Sequence, residues 1–297
     1  MRFAYAGTAP FAELVLQGLT EAGRVPAALV TNPDRPRGRH GTPQPPRIKE
    51  LAAELGLPVL QPERLSSPEG LGALLACEPD VFVVCAYGQI VAQSVLDAVE
   101  TIVVHPSLVP HWRGAAPVER ALMAGETEIG VCTLKMTAGV DEGPVGDARQ
   151  VHVPDDADAG RAYELLAPAA VEGVLAVLDA IGSGTARWTP QAGQVTYAEK
   201  IGPADKEIDW TRPARAIADQ VRALSPYIGA VTELAGRRTR IWSARPGGGP
   251  PPASGPDRLV LAAGEGWIDV LELQQEGRNR MTAPEFLRGA GRGLLAT

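Results

Sequence analysis

An uninterrupted apolar run at residues 81–86, Val-Phe-Val-Val-Cys-Ala, most constrains the fold of this chain. A strand of this kind is buried on both faces, which is typical of a parallel sheet covered by helices. In the first half of the chain, similar short apolar runs alternate with amphipathic stretches of helical period. The sequence therefore predicts a domain of the α/β class built from β-α-β units.

Two domains are predicted, at residues 1–185 and 206–297, with a linker at 186–205. The strands predicted for the first domain lie at residues 2–6, 27–31, 58–61, 81–86, 101–105, 130–136 and 145–153. Its predicted helices lie at residues 11–21, 48–55, 70–77, 116–124 and 160–181. The second domain is predicted as a small β-barrel or sandwich with one helix at 214–223 and strands at 230–235, 239–244, 259–262 and 267–272. The segment 246–252, rich in Pro and Gly, is expected to hold neither a helix nor an interior strand.

Charge and cysteine content exclude several classes of protein. A net charge of −7 at pH 7 argues against a uniformly basic surface that coats nucleic acid, although a local basic patch is compatible with it. Cys77, Cys85 and Cys132 are odd in number and lack C-x-x-C spacing, so neither a disulfide framework nor a cysteine zinc site is indicated. No apolar run approaches the length of about 18 residues that spans a bilayer. We therefore expect a cytoplasmic chain without membrane insertion.

The turn after the first predicted strand, Ala6-Gly7-Thr8-Ala9-Pro10-Phe11, resembles a phosphate-binding turn only in part. A dinucleotide-binding turn needs G-x-G-x-x-G, and two of those three glycines are absent here. Nicotinamide binding is therefore disfavoured. A tight structural turn and a role in positioning substrate both stay open.

The segment 103–117, Val-Val-His-Pro-Ser-Leu-Val-Pro-His-Trp-Arg-Gly-Ala-Ala-Pro, leaves the carboxyl end of a predicted strand, which is where open α/β sheets bind ligands. A lone histidine at a strand end is more often structural than catalytic. His105, however, is followed by Pro106, Pro110, Trp112 and Arg113, which favours a rigid ligand-binding loop. Strand alternation should place Val103 on the same face as His105.

A candidate carboxylate lies in residues 136–144, where Gly139 and Gly143 flank Asp141. By itself this segment is a turn with a capping Asp. With segment 103–117 it resembles the methionyl-tRNA formyltransferase family, whose signatures are N-V-H-x-S-L-L-P-x-W-R-G-A-A-P and M-x-x-G-x-D-x-G. Further similarity extends over nearly the whole chain, at residues 6–8, 32–36, 38–39, 86–88, 195–201, 208–210 and 222–226.

The resemblance implies a Rossmann-like parallel-sheet formyltransferase domain followed by a small OB-like β-barrel domain. It implies that the chain transfers a formyl group from 10-formyltetrahydrofolate to the α-amino group of initiator methionyl-tRNA, for translation initiation and without a metal. His105 and Asp141 are then the expected catalytic residues. The residues expected to line the folate site are Ser107, Leu108, Val109 and Pro110.

One position departs from the family pattern. The family has an asparagine two residues before the histidine, whose amide donates to the oxyanion, and this chain has Val103. Loss of one oxyanion donor typically costs about a hundred- to a thousandfold in turnover. We therefore expect either slow transfer or another group in place of the amide. Pro106 and Pro144 also stand where the family often has other residues.

A Pro- and Gly-rich segment between residues 33 and 49 carries five basic residues against one acidic residue, which indicates an exposed basic loop. Such a loop can neutralise RNA phosphates in spite of the acidic total charge, although a solvated surface loop has the same composition. By resemblance we expect tRNA contacts from Arg35, Arg37 and above all Arg39. The end of the chain adds further basic residues beside the predicted barrel, namely Arg278, Arg280, Arg288 and Arg292.

Two other functions remain open from the sequence. The same histidine and aspartate could formylate a smaller amine, such as a sugar nucleotide or glycinamide ribonucleotide, although the second domain and the basic loop disfavour this. Alternatively, the chain could be a paralogue that binds tRNA or folate without efficient turnover, as Val103 taken alone would suggest. We expect the protein to be a monomer.

Overall fold

The computed structural model describes residues 1–36, 41 and 43–295, the last two of these through their backbone alone. Contacts within the chain divide it into two compact units. The first unit comprises Met1–Gly114, Ile129–Val151 and Tyr163–Tyr197. The second comprises Ala115–Glu128, His152–Ala162 and Ala198–Thr297. These units interleave along the chain, whereas the domains predicted from the sequence are contiguous.

The elements follow the predicted alternation closely. Up to residue 114, the chain forms β1 (Phe3–Ala6), α1 (Pro10–Glu21), β2 (Leu29–Val30), β3 (Arg35–Pro36), β4 (Pro43–Gln44), α2 (Arg47–Glu54), β5 (Val59–Leu60), α3 (Pro68–Leu75), β6 (Val81–Cys85), α4 (Gln93–Leu96), β7 (Glu100–His105) and β8 (Arg113–Gly114). From there to residue 198, it forms α5 (Pro117–Met123), β9 (Glu128–Lys135), β10 (Val145–His152), α6 (Ala159–Gly182) and β11 (Tyr197–Ala198). The short elements β3, β4, α4, β8 and β11 have no counterpart in the sequence prediction.

The first unit is built around a seven-stranded sheet of order β10-β9-β7-β6-β1-β2-β5. The strands from β7 through β5 in this order are parallel, as the apolar runs predicted. Strand β9 is antiparallel to β7, with His105 opposite Cys132. The sheet is therefore mixed, as sheets in doubly covered folds commonly are when a reversed strand joins a parallel set.

Burial explains why β6 carries no polar residue. All five of its residues are buried, between β1 on one side and β7 on the other. On one face, Phe82 and Val84 pack in a hydrophobic cluster with Ala4, Ala6 and Val30. Because this core fixes the strands, it also fixes the carboxyl end of β7, where His105 lies.

Helix α6 covers the sheet through small residues. A Cβ on Gly173 would lie 3.1 Å from Thr133 Oγ1 of β9, and α6 also packs on α1, where Val171 lies within 2.6 Å of the position that a Cβ on Gly18 would take. Among the described residues, α6 is the one helix long and apolar enough to cross a membrane by length and composition. In its most apolar window, 44% is buried inside the protein, and a core helix passes the same test.

The second unit contains helix α7 (Ala214–Leu224) and an antiparallel sheet of five strands, in the order β12-β13-β15-β14 with a further strand on β15. Its remaining strands and helix are β12 (Ala230–Leu234), β13 (Arg237–Gly247), β14 (Leu259–Ala262), β15 (Trp267–Gln275), β16 (Met281–Thr282) and α8 (Ala283–Arg288). Register shifts between Ile241 and Ala244 bend β13. The sheet is thereby curled, as the prediction of an OB-like barrel requires.

Strand β13 runs further into the Pro- and Gly-rich segment than predicted, through Pro246 and Gly247. At Pro246 the strand pairs with Ile268 of β15, whereas its pairing with β12 ends at Ile241. The proline therefore lies in an edge position, where a missing N–H costs no ladder hydrogen bond.

A buried arginine in α7 explains why two earlier segments belong to the second unit. The side chain of Arg222 is 8% exposed and donates to Asp219 at 2.7 Å. It also donates to the carbonyl oxygens of Ala157 and Leu122, each at 3.3 Å. A buried guanidinium needs such acceptors. The sequence prediction placed helix α5 in the first domain because local pattern does not show these distant partners.

Candidate active site

His105 ends β7 with a buried side chain whose two ring nitrogens both face protein groups. Its Nε2 lies 2.8 Å from the carbonyl oxygen of Trp112. Because a carbonyl oxygen only accepts, Nε2 carries a hydrogen and donates it. Nδ1 lies 3.5 Å from Oδ2 of Asp141, and the two side chains are 6% and 16% exposed. In the neutral ring Nδ1 therefore turns its lone pair towards this carboxylate, which leaves Nδ1 as the ring position able to accept a proton.

Asp141 belongs to the loop between β9 and β10 and has a backbone φ of +49°. This left-handed conformation is uncommon for a residue with a side chain, and such positions cluster at functional sites. The main-chain N–H of Gly114 donates to Oδ2 of Asp141 at 2.9 Å. The same oxygen therefore meets both an N–H donor and the His105 ring.

The segment 112–114 serves both catalytic candidates through its backbone. Trp112 supplies the carbonyl oxygen that faces His105, and Gly114 supplies the N–H that binds Asp141. Trp112 has a φ of +57°, and the hydroxyl of Thr196 accepts a hydrogen bond from its N–H at 2.9 Å. The W-R-G signature marked this segment, but sequence reasoning missed the roles of its backbone groups.

The loop at 107–110, expected to line the folate site, follows His105 directly. The Ser107 side chain is buried and its hydroxyl donates to the carbonyl oxygen of His111 at 2.6 Å. Leu108 packs against Gly130 of β9, where a Cβ would lie 2.4 Å from it. The bond from Val109 to Pro110 is cis. These contacts hold the loop beside the His105 and Asp141 pair, and its contact with folate stays a prediction.

Val103 lies in β7 two residues before His105, so both side chains point to the same face of the sheet. It is half-buried and packs against the hydrophobic cluster that contains Val84. Its side chain offers no hydrogen-bond donor. The family's amide is therefore missing at this position.

Nucleophilic chemistry is disfavoured at two buried cysteines of the first unit, Cys85 and Cys132. Burial raises the pKa of Cys85 to about 12 and that of Cys132 to about 11. Both thiols are protonated near neutral pH, and only the thiolate is an effective nucleophile. Among the described residues, no group of three or more His, Cys, Asp or Glu side chains is arranged to hold a metal ion.

The predicted basic loop begins at β3, which pairs with β4 in an antiparallel hairpin. Arg35 is exposed and forms an ion pair with Glu63 at 2.6 Å. Hydrogen bonds from Gln61 and Lys49 hold the pKa of the Asp34 carboxyl below its usual value, so a charged Asp34 anchors this hairpin. Arg37 and Arg39 lie outside the described residues, and their contact with tRNA stays a prediction.

In the second unit, Arg280 lies over the ring of Trp242, 5.1 Å from its centroid. It also forms an ion pair with Glu272. The first contact is a cation–π interaction, and the acidic partner reduces the positive charge that Arg280 presents.

The chain matches the model of the formyl transferase family over residues 1–178 and that of the formyl transferase C-terminal domain over residues 200–291. A methionyl-tRNA formyltransferase of Symbiobacterium thermophilum is 41% identical, covering 98% of this chain and 93% of that protein. One from Methylococcus capsulatus is 39% identical, covering 97% and 96%.

Solved structures share the fold at lower identity. HypX from Aquifex aeolicus with tetrahydrofolic acid superimposes with a TM-score of 0.70 at 19% identity, over 99% of this chain and 48% of that one. A methionyl-tRNA formyltransferase from Clostridium thermocellum gives 0.60 at 14% identity, over 82% and 93%. At these identities the likeness shows the fold alone.

Proposed function

The chain belongs to the formyl transferase family and, at about 40% identity over nearly its whole length, to its methionyl-tRNA formyltransferase members; we propose that it formylates methionyl-tRNA from 10-formyltetrahydrofolate. The observation that supports the proposal is the buried contact between His105 and Asp141, because two groups able to exchange protons meet there at the carboxyl end of β7, the end at which open α/β sheets bind ligands.

The reaction forms one C–N bond and breaks another. The neutral α-amino group of the methionyl ester attacks the formyl carbon, and negative charge develops on the formyl oxygen. One proton leaves the attacking nitrogen and one reaches N10 of the folate as its bond to carbon breaks. His105 with Asp141 is suited to hold that proton, because Asp141 orients the ring and stabilises its protonated form.

The groups at the site suit this donor. The formyl group on folate N10 is already an activated acyl group, so transfer needs acid–base groups and charge stabilisation rather than a protein nucleophile. Burial raises the pKa values of the Cys85 and Cys132 thiols, which makes both of them poor nucleophiles near neutral pH. We assign Ser107, Leu108, Val109 and Pro110 to the folate site on the basis of their position after His105.

The acceptor assignment is tested by incubating the purified protein with 10-formyltetrahydrofolate and charged initiator tRNA. We expect formyl-methionyl-tRNA to accumulate, and no transfer to uncharged tRNA or to an amino-sugar nucleotide. A gel shift on the same tRNA separates binding from turnover. Transfer to the amino sugar alone would overturn the proposal, and binding without transfer would indicate a weakened paralogue.

We propose that Arg35, Arg37 and Arg39 contact tRNA phosphates. Changing Arg39 to Ala is expected to raise KM for tRNA and to lower the slope of log affinity against log salt by about 1, because one phosphate contact is lost. Steady-state formylation and filter binding at several salt concentrations measure both quantities.

The control for this experiment is Arg24→Ala. Arg24 precedes β2, at the end of the sheet opposite the carboxyl ends of the strands, and pairs with Asp179. Its removal should leave both quantities unchanged. Equal effects of the two substitutions would remove Arg39 from the tRNA site.

We also propose a cytoplasmic monomer that does not insert into a membrane. Its proposed substrates, a charged tRNA and a reduced folate, are water-soluble, and α6 contributes Leu166, Ala170 and Val174 to the buried core. Light scattering coupled to size-exclusion chromatography tests the monomer: a mass twice the chain's 31.2 kDa would contradict it.

A further inference from the structure

Gln191, which no sequence motif singled out, lies beside the loop of Asp141 and forms hydrogen bonds through both the nitrogen and the oxygen of its side-chain amide. Its Nε2 donates to the carbonyl oxygens of Asp141 and Gly143, each at 2.7 Å. Its Oε1 accepts from Nε of Arg113 at 3.0 Å and from Nη2 at 2.8 Å. An amide has two N–H groups and two acceptor lone pairs, so all four positions are filled.

The guanidinium of Arg113 contacts both Gln191 and the Asp141 loop. Its side chain is 11% exposed, and Nη1 lies 3.6 Å from Oε1 of Glu142. The next residue, Gly114, is the one whose N–H binds the Asp141 carboxylate. Strand β8 therefore contacts Asp141 in two ways. The backbone N–H of Gly114 binds its carboxylate directly, and the side chain of Arg113 binds Gln191, which in turn donates to its carbonyl oxygen.

These two sets of contacts matter because the backbone of Asp141 has an uncommon conformation. Asp141 has a φ of +49°, which costs free energy for a residue with a side chain and persists only where surrounding contacts impose it. The hydrogen bonds to the carbonyl oxygens of Asp141 and Gly143 fix two peptide groups of the loop, the one that follows Asp141 and the one that follows Gly143. Without them, the N–H of Gly114 still binds the carboxylate, but the backbone that sets its distance from Nδ1 of His105 is free to relax.

We propose that Gln191, braced by Arg113, is a positioning residue that holds the Asp141 carboxylate against His105. Gln191 touches neither His105 nor, by this assignment, the reacting atoms; it acts through the main chain of Asp141. The inference rests on the proposed formyl transfer, in which Asp141 orients His105.

Gln191→Glu is the sharp test. A glutamate keeps the length of the side chain and still accepts from Arg113, but it cannot donate to the two carbonyl oxygens. Gln194→Glu is the matched control, because Gln194 lies three residues on in the same segment and is exposed. We expect Gln191→Glu to lower the single-turnover rate by about tenfold to a hundredfold, with KM for tRNA unchanged, as a small misplacement of a catalytic group does.

A double-substitution cycle separates positioning from general stability. If Gln191 acts through Asp141, adding Gln191→Glu to Asp141→Asn should cost less than about twofold more, because the effects of coupled residues do not add. The proposal would be overturned if Gln191→Glu lowered the rate by the same factor in the wild-type and Asp141→Asn proteins. It would also be overturned if the rate fell only in proportion to the fraction of folded protein.

A spectroscopic readout stands apart from the activity. The chain has four histidines, so ¹⁵N signals of the imidazole rings can be resolved and assigned. Gln191→Glu should move the His105 ring signals towards those of Asp141→Asn, whereas Gln194→Glu should leave them in place. Unmoved His105 signals would refute the positioning role even if the wild-type protein formylates tRNA. Absent formylation with moved signals would refute the function and leave the positioning intact.

Discussion

Replacing Asp141 with asparagine is expected to lower the single-turnover rate of formylation by about a hundred- to ten-thousandfold. The asparagine side chain can still accept from the N–H of Gly114, which keeps the loop in place. It cannot supply the negative charge that faces Nδ1 of His105 at 3.5 Å. The protonated ring that forms during transfer is then left without its partner, so the chemical step suffers and tRNA binding does not.

Asp97→Asn provides the comparison for this loss. Asp97 is exposed ahead of β7, at the opposite end of the strand from His105, and accepts from Gln93 at 2.7 Å. It should retain the wild-type rate. If Asp141→Asn kept more than about a tenth of the wild-type rate, general acid–base catalysis would not depend on this carboxylate.

Replacing Val103 with asparagine is expected to raise the single-turnover rate by about a hundredfold or more, the usual value of one oxyanion donor. Val103 is half-buried on the same face as His105, so a new amide there can reach the site without being enclosed in the core. Binding of folate and tRNA should change little, because the gain is confined to the charge that develops in the transition state.

The control variant Val103→Ala distinguishes the effect of a new hydrogen-bond donor on the rate from the effect of removing the valine side chain. Alanine removes the packing of Val103 against the hydrophobic cluster but adds no N–H group. It should give no increase in rate, and thermal unfolding of both variants accounts for any loss of folded protein. An unchanged rate in Val103→Asn would mean that another group already occupies the role of the amide.

The site combines a short catalytic pair with an elaborate backbone support. Trp112 and Asp141 both have positive φ, and each presents a backbone or side-chain oxygen to the His105 ring. Strain of this kind is tolerated where many contacts impose it. The supporting contacts come from Gly114, Gln191 and Thr196. This chain has such support although it lacks the family's amide, which is why we propose a working enzyme.

Much of the fold followed from periodicity. The apolar run at 81–86 forms the buried strand β6, and the predicted helix at 160–181 is observed as Ala159–Gly182. Reversal of β9 and the hairpin of β3 and β4 were missed, because strand direction depends on pairing and two-residue strands leave no periodic signal. The exclusion of an interior strand from 246–252 agrees with the edge position of Pro246, whereas β13 extends to Gly247 instead of ending at residue 244 as predicted.

By itself, the sequence determined the β-α-β order, the strand end that carries His105 and the glycine-flanked loop that carries Asp141. These follow from local composition and spacing, which act within a few residues. Only the tertiary structure decided that Gln191 reaches the backbone of Asp141, 50 residues away, and the guanidinium of Arg113, 78 residues away. Hydrogen bonds over such separations exist only once the core has fixed the strands, so no local pattern records them.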